Sequence, residues 1–190
     1  MISSGAGLRT LSESNGEENR GILRLDSSGG CDNSGGVGLW ERVRELAGGP
    51  TRRLVADLTA AYHEELRLAL QLRQHAEHVP YPSSAASLLG LAERQDAHAA
   101  LLREQITRLG GTVSAVGSGS PRGGRNYWER LTLDLEDLRA KSGRYRELTN
   151  HWDLEDPEVA ALFDRLSRED ATLCRVVADL IARSDPHAED

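Results

Sequence analysis

The sequence predicts an all-α protein built around an antiparallel four-helix bundle. Apolar residues recur at intervals of three and four over four long stretches, which is typical of amphipathic helices that face a common core. Glycine or proline lies near both ends of these stretches. The second and third stretches are separated by a long Gly/Ser-rich segment, residues 111–126. We expect one bundle domain within the 190 residues.

The bundle is predicted to span residues 51–183 and to be flanked by simpler segments. Residues 1–38 are rich in Gly, Ser, Asn and Glu and contain too little apolar surface to offset the entropy of ordering, so they are predicted to be a disordered tail. Residues 39–50 are predicted to form a short amphipathic helix and a linker, with a stop at Gly48-Gly49-Pro50. Residues 184–190 are predicted to be a C-terminal tail.

Two predicted helical hairpins make up the bundle. Helices at about 51–78 and 84–109 are joined by a short Pro-containing break, and helices at about 127–151 and 157–182 are joined by a second one. Short connections make neighbouring helices antiparallel. The segment between the hairpins is long enough to travel the full height of a bundle, so the second and third helices are predicted to run parallel, with one long crossover between them.

Polar residues interrupt three of the apolar stripes. Glu65 interrupts the first helix, Gln95 and His98 the second and Asp170 the fourth. Gln95 and His98 are three residues apart and therefore lie on one helix face. A buried carboxylate is costly unless it is paired, protonated or metal-bound. We therefore expect these four side chains to meet at one depth in the core.

Composition excludes several classes of partner. The formal net charge is -7 and the isoelectric point about 5.4, and the chain has no dense run of Lys and Arg. This argues against binding to nucleic acid, which depends on neutralising phosphates, and to anionic membrane surfaces. No apolar run is long enough to cross a bilayer, and no secretion signal is recognisable. A cytoplasmic protein is the expectation.

The helix pattern, the long crossover and the inward polar residues resemble the ferritin-like superfamily, in particular rubrerythrins and bacterioferritins, over residues 51–182. The resemblance implies a carboxylate-bridged di-iron site. The first-helix Glu of the family corresponds to Glu65, and the second-helix Glu-x-x-His to Gln95 and His98. The third-helix acid falls near Leu138, with Asp137 or Glu136 in reach only if the helix rotates. The fourth-helix Glu-x-x-His corresponds to Asp170 and Leu173.

These substitutions leave three interpretations of the site open. Gln95 is neutral and cannot bridge two metals as a carboxylate does, and Leu173 occupies the expected His position and cannot ligate. The polar residues could form a hydrogen-bonded core cluster without metal. Alternatively, Glu65, His98 and Asp170 could hold a single iron or manganese ion. A competent dinuclear oxidase is the third interpretation.

The expected function is that of a ferritin-like protein with a depleted dimetal centre, acting as a non-catalytic structural or interaction protein. Such bundles commonly pair side by side, so a homodimer or higher homo-oligomer is expected. The alternative is an iron- or manganese-binding oxidase or peroxide-handling protein of rubrerythrin or bacterioferritin type. Iron storage, which requires a shell-forming assembly, is a third hypothesis.

Overall fold

The computed structural model describes residues 37–114 and 120–184, with side chains from residue 48 onward. It contains four α-helices: α1 (Val37–Ala76), α2 (Pro82–Arg108), α3 (Tyr127–Trp152) and α4 (Pro157–Arg183). The described residues form no β-strand. The all-α prediction is confirmed. The predicted disordered tail at 1–38 and the predicted C-terminal tail at 184–190 lie outside the described part of the chain except for residues 37, 38 and 184. Val37 and Gly38 belong to α1, so the predicted disordered tail extends two residues too far.

The predicted helix stop at Gly48-Gly49-Pro50 is wrong. Helix α1 is continuous from Val37 to Ala76 and contains Pro50 in its interior. Proline removes one backbone hydrogen bond, but its fixed φ is close to the helical value, so it bends or weakens a helix without having to end it. The two glycines weaken the helix by entropy alone. A segment predicted to be separate is thus a direct extension of the first bundle helix.

The helices form two antiparallel hairpins, α1–α2 and α3–α4, which pack against each other. Trp152 Nε1 at the end of α3 donates to Asp57 near the beginning of the bundle part of α1. Gln71, toward the end of α1, contacts Asp134 in the first half of α3, so α1 and α3 are antiparallel. Helices α2 and α3 are consequently parallel, and the segment between them, described at residues 111–114 and 120–126, is the long crossover that the sequence predicts.

Side-chain caps lie at the N-termini of α3 and α4, the two helices of the second hairpin. The Asn126 side chain accepts a hydrogen bond from the backbone N–H of Glu129, and the Asp156 side chain accepts one from Val159. These caps satisfy N–H groups that have no partner within the helix. After α2, Gly110 adopts a φ of +77°, a conformation that residues with a Cβ rarely adopt.

The core consists of two apolar clusters with a polar layer between them. One cluster includes Leu58, Leu102, Trp152 and Phe163, and the other includes Leu72, Leu88, Leu131, Leu138 and Val177. On every helix, buried polar residues lie in the sequence between the members of the two clusters. The layer that they form is at the middle of the bundle.

Candidate functional site

The polar layer takes one fully buried side chain from each helix. These are Glu65 from α1, Gln95 from α2, Lys141 from α3 and Asp170 from α4, each 0% exposed. His98, one turn after Gln95 on α2, is also buried. The four residues singled out by the sequence are therefore brought together, and a lysine lies among them.

Lys141 is the centre of this layer. Its Nζ atom lies 2.6 Å from Glu65 Oε2 and 3.0 Å from Asp170 Oδ1, and it donates a hydrogen bond to Gln95 Oε1. An ammonium group has three N–H donors and no acceptor. Lys141 uses two of them to donate to Glu65 and Gln95, and its charge pairs with Asp170. Lys141 thereby connects the second hairpin to both helices of the first.

Two further side chains contact Glu65. Tyr145, one turn after Lys141 on α3, donates from its hydroxyl to Glu65 Oε1 at 2.6 Å. His98 Nδ1 lies 3.5 Å from the same oxygen, and His98 Nε2 lies 2.9 Å from Glu169 Oε2. Glu169 is partly exposed, so His98 connects the buried carboxylate to an acidic side chain at the surface.

The two buried carboxylates have different electrostatic environments. Burial raises the pKa of Glu65, but the Lys141 ammonium and the contact with His98 outweigh burial, so the pKa lies below its usual value. For Asp170, burial prevails over the attraction of Lys141 and, together with the charge of Glu65, raises the pKa to about 6. Neither Asp170 oxygen has a hydrogen-bond partner of good geometry among the described residues. Glu65 is thus the ionised member and Asp170 the one that readily holds a proton.

The neighbouring rings respond to the same charges. Burial lowers the pKa of His98, but its contact with the Glu65 carboxylate outweighs burial and raises the pKa above its usual value. Burial and the proximity of Glu65 raise the pKa of Tyr145 well above its usual value. The positive charge of Lys141 neutralises one of the two buried carboxylates, Glu65 and Asp170. A proton on His98 or on Asp170 neutralises the negative charge of the other.

This arrangement does not fit a dinuclear metal centre. The Lys141 ammonium lies among the carboxylate and amide oxygens that would have to bind the metals, and its positive charge opposes a divalent ion there. Leu173, at the expected His position, packs in the second apolar cluster. No group of three or more His, Cys, Asp or Glu side chains within residues 48–114 and 120–184 is arranged to hold a metal ion.

The third-helix position was missed in the sequence. Leu138 packs in the apolar cluster that contains Leu173, and Asp137 and Glu136 form ion pairs with Arg122 of the crossover. The residue at the depth of Glu65 is Lys141, one turn farther along α3. Two signals pointed to it. The apolar stripe has a gap between Leu138 and Tyr145, and Lys141 is the only lysine in the sequence.

Comparison with solved structures places this architecture among known folds. A bacterioferritin from Rhodobacter capsulatus, described with a metal-free dinuclear site and a haem iron, is similar to this chain with a TM-score of 0.64. The similarity covers 70% of this chain and 85% of the bacterioferritin chain, at 19% sequence identity. The chain has the ferritin-like fold. No protein-family model and no curated protein matches the sequence.

The ferritin-like fold accounts for the topology of two helical hairpins joined by a long crossover. At 19% identity the similarity extends to the fold, and the chemistry of the site rests on the residues of this chain. None of the described helices is long and apolar enough to cross a membrane.

Proposed function

We propose that this protein is a non-catalytic ferritin-like domain in which the ammonium group of Lys141 takes the place of the metal ions. The domain then acts as a structural or interaction protein. The observation that carries this proposal is the position of Lys141 Nζ, in contact with Glu65, Gln95 and Asp170. Each of these three residues comes from a different helix. A cation supplied by the chain thus joins the helices of the bundle.

The burial of the layer supports a role without a substrate. Glu65, Gln95, Lys141 and Asp170 are all 0% exposed, so a substrate could reach them only if the helices separated. Separation would expose the charged groups and both apolar clusters to water at once. This favours a permanent internal link over a reactive centre.

The alternative is a residual iron or manganese site of rubrerythrin or bacterioferritin type. It would use Glu65, His98 and Asp170, and it would require Lys141 to leave its present position or to lose its proton. The two proposals differ in metal content. Protein purified from cells grown with added iron and manganese is expected to contain well below one equivalent of either metal per chain by elemental mass spectrometry.

Two variants make this experiment decisive. His98→Ala removes the one imidazole of the layer, and His63→Ala removes a histidine of α1 that contacts the carbonyl of Ser114 instead. One or more equivalents of iron or manganese in the unaltered protein, lost in His98→Ala and retained in His63→Ala, would establish the metal site and overturn the proposal. If His98→Ala and His63→Ala have the same effect on the metal content, the metal is bound at the protein surface and not in the polar layer.

We further propose that the protein self-associates. Leu70 on α1 and Leu89 on α2 are 37% and 44% exposed, and both belong to the first hairpin. Light scattering coupled to size-exclusion chromatography is expected to give a mass of at least two chains. A mass in the range of a closed shell would instead favour iron storage, and a monomer would contradict self-association.

A further inference from the structure

A second buried polar cluster lies where the crossover meets α1 and α3. It contains Gln71, His75, Asp134 and Asp137, and it holds Arg122 of the crossover. Gln71 and Asp134 are 0% exposed and His75 is 4% exposed. Unlike the central layer, this cluster binds a segment of irregular backbone.

The backbone of Arg122 is held on both sides. Its N–H donates to Gln71 Oε1 at 2.9 Å, and its carbonyl oxygen lies 2.8 Å from His75 Nε2. The Arg122 guanidinium also donates to Asp137 at 2.8 Å and to Glu136 at 3.3 Å. The crossover is therefore fixed at one residue by two backbone contacts and two ion pairs.

Both ring nitrogens of His75 face acceptors. Nδ1 lies 2.9 Å from each carboxylate oxygen of Asp134, and one of these oxygens already accepts a hydrogen bond from Gln71 Nε2. Nε2 faces the carbonyl of Arg122, which can only accept. A neutral imidazole has one N–H and one lone pair, so one of these contacts would oppose two lone pairs. With Asp134 as a carboxylate, only the imidazolium ion satisfies both contacts.

We propose that His75, Asp134 and the carbonyl of Arg122 form a proton-dependent latch that holds the crossover against α1 and α3. Docking of the crossover takes up the second ring proton, and release of the crossover frees it. Imidazoles change charge near neutral pH, so docking is strengthened as the pH falls through that range and weakened as the pH rises through it.

The other charged groups around His75 keep their charge over this range. Arg67 of α1 and Arg122 of the crossover are guanidinium ions, and both donate to Asp137 of α3. Burial raises the pKa of Asp137, but the hydrogen bonds from Arg122, Gln71 and Arg67 lower it below its usual value. Glu136 is exposed beside Arg122, and Tyr127 of α3 has a raised pKa because of burial. The proton of the latch therefore belongs to the His75–Asp134 pair.

Amide hydrogen exchange of Arg122 tests the latch. Its N–H is protected by Gln71 only while the crossover is docked. After correction for intrinsic exchange, the opening equilibrium constant is expected to rise with pH, by up to about tenfold per pH unit, since one proton is released per opening. Amides in the middle of α3 provide the reference for global unfolding. Protection of Arg122 that is independent of pH would overturn the proposal.

A matched pair of variants assigns the effect to His75. His75→Gln is expected to abolish the pH dependence, whereas His78→Gln, which alters an exposed histidine bonded to the Gln74 carbonyl, is expected to retain it. Nitrogen-15 spectra of labelled histidine in the unaltered protein provide a second readout that does not depend on variant folding. They are expected to show His75 as imidazolium while Arg122 is protected. A neutral His75 ring in the docked state would overturn the proposal, and neither result bears on the metal content of the central layer.

Discussion

Lys141 owes its place in the core to three oxygens that no single helix supplies. Lysine is almost never fully buried unless it is paired, because desolvation of its charge is expensive. Here Glu65 and Gln95 accept hydrogen bonds from its ammonium group and Asp170 pairs with its charge, while Tyr145 donates to the other oxygen of Glu65. A compact ammonium suits this geometry better than a planar guanidinium, whose five donors would need more acceptors.

Removing the ammonium should destabilise the protein. Lys141→Met leaves Glu65 and Asp170 buried without a cation, and breaking a buried pair in this way costs about 3–5 kcal/mol. Urea denaturation at neutral pH measures the loss in the free energy of unfolding. Arg168→Met, which breaks the exposed Arg168–Asp164 pair on α4, should change it by less than about 1 kcal/mol. Equal stability of Lys141→Met and the unaltered protein would contradict the pairing.

The contributions of Asp170 and His98 to stability should fall as the pH rises from about 4. The pKa of Asp170 is about 6 in the folded state, above its usual 3.8, so the unfolded chain loses this proton first and folding weakens between these values. The shift corresponds to at most about 3 kcal/mol. His98 acts in the same direction, since its raised pKa stabilises the folded state only while the ring is protonated. Glu65 has a lowered pKa and therefore stabilises the folded state at pH values above 4.5, its usual pKa. This contribution to stability is lost as the pH falls below 4.5.

Asp170→Asn tests the assignment of this pH dependence. The amide retains an oxygen for Lys141 and cannot ionise, so the fall in the free energy of unfolding between pH 4 and about 6 should be reduced. Asp164→Asn, on the exposed face of the same helix, should leave the profile unchanged. Denaturant titrations at several pH values provide the measurement. A profile for Asp170→Asn that parallels that of the unaltered protein would show that another group is responsible.

At the scale of the elements, the two hairpins follow from local signals in the sequence. The apolar periodicity, the capping residues Asn126 and Asp156 and the Gly110 turn define three helices to within a few residues. The first helix differs from its prediction. Gly48, Gly49 and Pro50 disfavour a helical conformation, but α1 continues through them. Such residues indicate that a helical conformation is locally unfavourable. They do not show whether the packing of the rest of the helix offsets this unfavourable free energy.

Substitution by alanine should have opposite effects on stability at two glycines, one in a helix and one in a loop. Gly143 lies in α3 and a Cβ there would meet nothing within 4 Å, so Gly143→Ala should raise the free energy of unfolding by about 1 kcal/mol. Gly111 begins the crossover, where a Cβ would lie 2.8 Å from side-chain carbons of both Ile106 and Val55. Gly111→Ala should therefore destabilise. Thermal unfolding followed by circular dichroism compares the two, and the same sign for both would contradict the packing described.

At the scale of the whole molecule, the polar layer unites the two hairpins. The sequence identified Glu65, Gln95, His98 and Asp170 because each interrupts an apolar stripe, and it placed them at one depth. Lys141 was not identified, because hydrophobic periodicity treats a lysine as a surface residue and its partners come from three other helices. The fully buried Asp134 was not identified either, because its partners Gln71 and His75 belong to α1.

The proposed function requires that a lysine ammonium, and not a metal ion, occupies the centre of the bundle. Because Lys141 is the only lysine, protein grown with nitrogen-15 lysine has a single side-chain signal. We expect a resolved ammonium resonance at neutral pH whose protons exchange slowly with water and which is unchanged when iron or manganese is added. A resonance lost to fast exchange, as for an exposed lysine, or one displaced by stoichiometric metal would contradict it.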